Sequence, residues 1–223
     1  ESLMATAYMS SPYRHPVIGW MNDLQNMKPA DARDWYRSWY SPNNATVVIS
    51  GDVDPKQILK VVEKYYGAIT AHELPVRKPQ IEPAQKGVKQ VQVKAPADSA
   101  QLAMAWKVPR LEPGKLYDPE PYALELLTAV LDGYDNARLN RTLVKQEKVV
   151  NDVGVGYDMI SRGPELFLIS VAVAKGKTVN QAQASIRKAL EELKQKGILE
   201  SELKRIKVRI LSDQIYKRDS IFG

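Results

Sequence analysis

Cysteine is absent from all 223 residues, so disulfides and thiolate metal sites are excluded. That absence suits the cytosol and an export route alike and leaves the compartment undecided. Histidine is scarce: His15 and His72 are the only two. A catalytic zinc needs about three protein ligands, commonly with two on one helical turn. Neither H-E-x-x-H nor H-x-x-E-H occurs, and the two histidines stand in a proline-flanked loop and at the edge of a proline-rich stretch. Their expected roles are turn formation and hydrogen bonding. Long apolar runs are also missing, since none approaches the roughly 18 residues of a membrane span. With no G-x-S-x-G and no cysteine, a serine or cysteine nucleophile has no support. Gly154-Val155-Gly156 lacks the G-x-G-x-x-G spacing and the following helix of a phosphate loop. It reads as strand glycine near a bulge.

What is present is ordinary in bulk. The chain is 44% hydrophobic and 26% charged, as a globular protein is, and is long enough for one large domain or two small ones. Its net charge of +6 invites a nucleic-acid reading. The densest basic run, Lys204, Arg205, Lys207 and Arg209, falls opposite Leu203, Ile206, Ile210 and Leu211 on a helix. It therefore reads as a solvated face, and no nucleic-acid partner is expected. Leu3, Met4, Ala7 and Tyr8 already have helical spacing, and no initiator or signal segment precedes them. The chain is expected to be a piece of a longer protein.

The strongest local pattern runs from Asn44 to Ile69. Thr46, Val47, Val48 and Ile49 predict a short strand over Ala45–Ser50, buried on both faces. Asp54 then caps a helix opening at Pro55, with Gln57 placed as in a capping box. Ile58, Leu59, Val61, Val62, Tyr65 and Tyr66 repeat at helical spacing until Gly67. Before this, Met27–Tyr40 predicts a helix whose aromatic stripe, Trp35, Tyr36, Trp39 and Tyr40, is expected in the core. After it, Pro75, Pro79 and Pro83 punctuate a polar stretch that reads as an inter-domain linker. Further on, Val91–Lys94, Gln101–Val108, Val153–Ile160 and Leu166–Ala174 predict strands. Tyr122–Leu131, Ala137–Glu147, Asn180–Lys196 and Glu200–Arg218 predict helices. Leu166–Lys196 echoes the strand–turn–helix plan of Ala45–Gly67, which suggests two related lobes.

Arg14-His15-Pro16-Val17-Ile18-Gly19, then Trp35-Tyr36, then Tyr40-Ser41-Pro42-Asn43-Asn44 leading to Val47-Val48 and Gly51-Asp52-Val53, carry a resemblance. In that order they resemble the pitrilysin/insulinase zinc peptidases, which include the mitochondrial processing peptidase. The element order from Leu102 to Gly223 agrees with the family's second lobe, so the resemblance covers essentially the whole chain. It implies an α+β fold of two related lobes, each an antiparallel sheet packed with helices (the LuxS/processing-peptidase-like metallohydrolase fold), with the first lobe truncated. Residues 1–72 would be the C-terminal part of the first lobe and 73–89 a proline-rich linker. Residues 90–223 would be the second lobe, itself truncated at its C-terminus.

The resemblance also implies peptide hydrolysis in a clamshell between two halves, by water activated on zinc. The family's zinc sits on an inverted H-x-x-E-H helix with a downstream Glu, all preceding the "HP…G" loop. Zinc would thus belong to the full-length protein, and no metal or catalytic residue carries over onto this chain. The family's second lobe can supply an Arg and a Tyr, seven residues apart, that hold the substrate carbonyl and oxyanion. The matching positions here read Val144 and Asn151. Lys145 as a stand-in cation and Tyr157 as an inward-reaching hydroxyl are the candidate substrate-binding residues. Arg138, in the family's "S-R-L" turn, is expected to be structural. The preferred reading is a peptidase half, with the Arg/Tyr pair supplied by a homologous partner subunit or second half. The alternative is a non-catalytic scaffold of the same family.

Overall fold

The computed structural model describes residues 1–219, which divide by packing into two compact units. One joins residues 1–14 to the chain from 82 onward, and the other comprises residues 15–81.

The first unit is built on a three-stranded antiparallel sheet in the order β1-β3-β2. Its strands are β1 (Gln101–Val108), β2 (Val150–Gly156) and β3 (Glu165–Val173). β3 is a nearly continuous apolar run, ELFLISVAV, as a strand bonded on both edges should be. Its alternate residues Phe167, Ile169, Val171 and Val173 join Met104, Leu131, Leu139, Leu143, Val150 and Ile186 in one core. Helices α5 (Pro119–Asp132) and α6 (Val179–Lys196) supply Leu131 and Ile186 to it. α6 opens on a reciprocal cap between Thr178 and Gln181 and ends at Gly197, whose φ of 69° favours glycine. α7 (Glu200–Arg218) buries Ile206.

On the other face of the sheet, the start of the chain packs at the Leu166 end. Short helix α1 (Ser2–Ala7) brings Ala7 and Tyr8 onto Leu166, beside Ala105. The Tyr8 hydroxyl donates to Pro164 O at 2.7 Å, and the Tyr13 hydroxyl accepts from Gly163 N at 3.0 Å. Glu82 is pinned to the same segment. Its carboxylate accepts from the main-chain N–H groups of Met9, Ser10 and Ser11, each at 2.9 Å, and from Lys107 Nζ at 2.8 Å. Burial opposes that charge, but Lys107 and the three N–H groups outweigh it and hold the carboxyl well below the usual carboxylate range.

The second unit holds α2 (Met21–Asn26), α3 (Pro29–Trp39) and α4 (Pro55–Tyr66). α4 begins as its sequence predicts, with Asp54 Oδ1 accepting from Lys56 N and Gln57 N and with Pro55 first. Three expectations fail around it. Ala45–Ser50 is not a strand, and Val48 is 83% exposed. Val91–Lys94, in the first unit, forms no strand either, and Val93 is exposed. Trp35, Tyr36 and Tyr40 form a stripe on and just beyond α3, Tyr36 stacking on Tyr40 at 4.5 Å, yet all three are exposed. The common cause is a missing partner. A strand exists only against a bonded neighbour, and an apolar helix face is buried only against a second layer. Among the described residues, no sheet lies in the second unit.

The four helical segments and the three strands expected after Ala100 form where the sequence places them, within a few residues. Among the described residues, no helix is long and apolar enough to cross a membrane. Because Ile169 is fully buried, Ile169→Ala should cost about 3 kcal/mol in urea denaturation. Val48→Ala, by contrast, should change stability by under about 0.5 kcal/mol.

Candidate functional site

The segment from Ala137 to Tyr157 includes the positions at which the family resemblance places its substrate-holding pair, and its backbone combines a π-helical turn, a left-handed residue and a β-bulge. Leu139 and Leu143 are fully buried and anchor a helical turn against the core. The turn is widened: residues Asn140–Gln146 are π-helical, and Glu147 N donates to Thr142 O at 2.8 Å. Lys148 follows in the left-handed region, φ 51°, the one described non-glycine residue there. A β-bulge comes next, because Val150 pairs with Val173 and Asp152 with Ala172, which leaves Asn151 unpaired. A left-handed lysine costs on the order of 1 kcal/mol and persists only where surrounding structure holds it.

Two charged groups do the holding. Asp132, at the end of α5, accepts from Asn140 Nδ2 at 2.6 Å and from Val155 N at 3.1 Å, tying the widened turn to β2. Burial pushes its carboxyl up, against the opposing pull of those two donors. Arg138 donates to both oxygens of Glu202, from Nε at 3.1 Å and Nη2 at 2.6 Å, and Nη2 also reaches Gly197 O at 3.1 Å. It thereby bolts the start of the turn to the α6–α7 connection and is structural, as expected. A cleft of about 300 Å³ lies beside the turn, with Arg141, Thr142, Glu147, Ser185 and Lys188 among its lining. Lys188 Nζ stands 3.8 Å from Glu147, so the lining is of mixed charge.

Lys145 is exposed on the widened turn. Tyr157 lies just past the far end of β2, half-buried against the core. Its hydroxyl donates to Pro109 O at 2.7 Å, its ring centre is 6.4 Å from that of Phe167, and its phenol is pushed up to about 12, first by burial and then by Glu165. Seven residues of β2 separate the two positions, roughly 20 Å at strand rise. The fold does not bring Lys145 and Tyr157 into one site. Of the positions matching the family's Arg and Tyr, Val144 is partly buried against the core and Asn151 stands exposed at the bulge. The sequence places a bulge near Gly154–Gly156, and the structure has it at Asn151 of the same strand, whereas no sequence signal marks the left-handed Lys148.

The two histidines are hydrogen-bonded. Trp20 Nε1 donates to His15 Nδ1 at 2.9 Å, and His72 Nε2 lies 3.4 Å from Ser38 O, while its main-chain N–H donates to Ser41 Oγ at 3.2 Å. Among the described residues, no group of three His, Asp or Glu side chains is disposed to hold a metal ion. The donors present do not fit a zinc site.

Removing Arg138 would leave the partly buried Glu202 carboxylate without its main cation. Arg138→Ala should destabilise the first unit by about 2 kcal/mol at neutral pH. Arg138, through its hydrogen bonds, holds the Glu202 carboxyl below its ordinary value. The contribution is therefore present above the unfolded carboxylate value near 4.3 and is lost as pH falls through the folded one. Urea denaturation at pH 7 and at about pH 3 should show the gap between parent and variant narrowing in acid.

Residues 26–209 match the family model described as the peptidase M16 inactive domain. The chain is 26% identical over 218 residues to the zinc protease PqqE of Helicobacter pylori, covering 96% of this chain and 48% of that protein. Among solved structures, it is similar to a protease from Helicobacter pylori at a TM-score of 0.86 and 24% identity, over 98% of this chain and 52% of that one. It is also similar to the first half of the periplasmic protease PqqL from Escherichia coli, at a TM-score of 0.61 and 16% identity, over 92% of this chain and 43% of that one. The chain thus spans about half the length of the relatives it matches. With a family match running from the second unit through to α7, the chain belongs to the peptidase M16 inactive-domain family.

Proposed function

We propose that this chain is a non-catalytic part of a bacterial zinc metallopeptidase, with the zinc site and its general base on polypeptide outside residues 1–223. The observation that carries this reading is the match of residues 26–209 to an inactive domain of a peptidase family, in a chain spanning half the length of its relatives. The relatives are zinc proteases by name, whereas the described donors here do not fit zinc.

Within that reading, residues 1–72 close a first peptidase lobe, 73–89 link, and 90–223 form the second lobe. The apolar run over Thr46–Ile49 and the exposed aromatic stripe of α3 support a first lobe whose remaining layers are supplied by further polypeptide. The substrate is a peptide or unfolded segment enclosed between two such halves. Positions Val144 and Asn151 carry neither cation nor phenol, so the homologous second half or a partner subunit supplies the Arg/Tyr pair. Lys145, exposed on the widened turn, is the candidate contact to substrate in this chain. Tyr157 is offered as a second contact, although its hydroxyl already serves Pro109.

The test is an assay of the 223-residue chain on unfolded peptides, with and without stoichiometric zinc, alongside the natural protein. The chain alone should show no hydrolysis, and the natural protein should show zinc-dependent hydrolysis, weakened severalfold in KM but not in kcat by Lys145→Ala. Zinc-dependent turnover by the chain alone would overturn the assignment. Lack of turnover by the natural protein, together with a degenerate H-x-x-E-H upstream, would make it a scaffold. Tyr157→Phe should cost about 0.5 kcal/mol of stability in thermal unfolding, because one exposed hydrogen bond to Pro109 O is lost.

A further inference from the structure

The cleft of about 300 Å³ beside the widened turn lies wholly within the first unit, between that turn and α6. Part of its lining is apolar: Ala189 and Leu193 of α6, which pack against the core, and Leu199 of the α6–α7 connection, which is 68% exposed. Its charged lining sets four cations, Arg138, Arg141, Lys188 and Lys196, against two carboxylates, Glu147 and Glu192. Pairing accounts for three of the four. Lys188 stands 3.8 Å from Glu147 and Lys196 3.6 Å from Glu192, while Arg138 donates to both oxygens of Glu202. Arg141 is left over. Among the described residues, no carboxylate forms an ion pair with its guanidinium. Glu202, whose carboxyl senses the Arg141 charge, is already engaged by Arg138.

Two hydroxyls share the cleft. Thr142 and Ser185 both line it, and among the described residues neither side-chain hydroxyl has a hydrogen-bond partner. A serine or threonine inside a helix commonly returns its hydroxyl to the carbonyl one turn back, as Thr6, Ser38 and Ser212 do here. Thr142 and Ser185 do not. At Thr142 the turn is π-helical, a geometry that recurs at functional sites, and its carbonyl accepts from Glu147 N instead. The cleft therefore offers one unpaired cation, two uncommitted hydroxyls and an apolar surface. Such a set suits a ligand with a single carboxylate beside an apolar group. The C-terminal residue of a peptide carries both on one Cα, which also suits a volume at the small end of the range for ligand sites, roughly 300–1,000 Å³.

We propose that this cleft binds the C-terminal residue of a peptide, its carboxylate on Arg141 and the Thr142 and Ser185 hydroxyls and its apolar side chain against Leu193 and Leu199. The inference takes its ligand class from the peptidase reading: a site of this kind anchors the end of a substrate or of a released product. Charge and apolar area act together there, so neither a neutral apolar end nor a bare anion satisfies the whole lining.

Binding to the 223-residue chain tests this without any turnover. In calorimetry at low salt, where exposed charge is least screened, an N-acetylated pentapeptide ending in leucine should bind at least tenfold more tightly as the free acid than as the C-terminal amide. The same titration should move the main-chain amide resonances of Arg141, Thr142 and Ser185. Arg141→Gln, a change at an exposed side chain, should abolish the preference for the free acid, and Leu199→Ser should weaken both forms severalfold. Equal binding of acid and amide, or binding of neither, would overturn the proposal. So would equally tight binding of an amidated peptide with one internal glutamate, since a side-chain carboxylate would then suffice. The comparison of acid with amide uses the parent chain and decides the matter even where a variant fails to fold. Hydrolysis by the natural protein is a separate readout: its absence, with the acid preference intact, removes the peptidase reading and leaves the cleft.

Discussion

The pairing of β3 along both of its edges is the constraint on which the first unit depends. Once Glu165–Val173 is bonded to β1 on one side and β2 on the other, its odd residues project onto α5, α6 and the widened turn. On the opposite face, Leu166 packs with Ala7 and Tyr8 of the start of the chain. The two hydrophobic clusters are thus the two faces of one strand. Tyr8 and Leu166 complete the lesser face, Ile169 and Leu143 the greater. Without the double pairing, neither α1 nor the π-helical turn would have a surface to close against.

The contrast with Ala45–Ser50 shows that pairing, and not composition, does this. ATVVIS is as rich in β-branched residues as the middle of β3, but it finds no bonded neighbour and stays exposed. Intrinsic β preference spans only about 1 kcal/mol and reflects fit to a half-buried surface, so it cannot sustain a lone strand. The same reasoning covers the aromatic stripe of α3. It has the correct spacing and the correct residues, and it lacks only a layer to cover it. Both features support the proposed reading of the second unit as part of a larger lobe.

The segment from Arg138 to Asn151 is held by partly buried charge and not by regular geometry. Asp132 and the Arg138–Glu202 pair take the hydrogen-bonding load that an unbroken helix and an unbroken ladder would otherwise carry. Local strain, side-chain anchors and a register shift thus converge on one short connection. The two positions at which the resemblance places a substrate-holding pair read Val144 and Asn151 here.

Periodicity alone determined α3 to α7 within a few residues, because an apolar repeat near 3.6 residues, an Asp54 cap and a stopping glycine are all local facts, whereas the short α2 carried no such signal. It also determined β1 and β3, whose apolar runs are short and, in β3, rich in β-branched residues, which favours strand over helix. The motifs around Arg14–Gly19 and Tyr40–Asp54 were enough to point to the family. Tertiary structure decided everything that needs a second segment: which predicted strands acquire partners, which apolar faces are covered, and that residues 1–14 join the unit beginning at Glu82. It placed the bulge at Asn151 and the left-handed turn at Lys148, and it set Lys145 and Tyr157 at opposite ends of β2. The reason is that burial and strand pairing are properties of two surfaces meeting. A sequence states what each surface offers but not which one it meets.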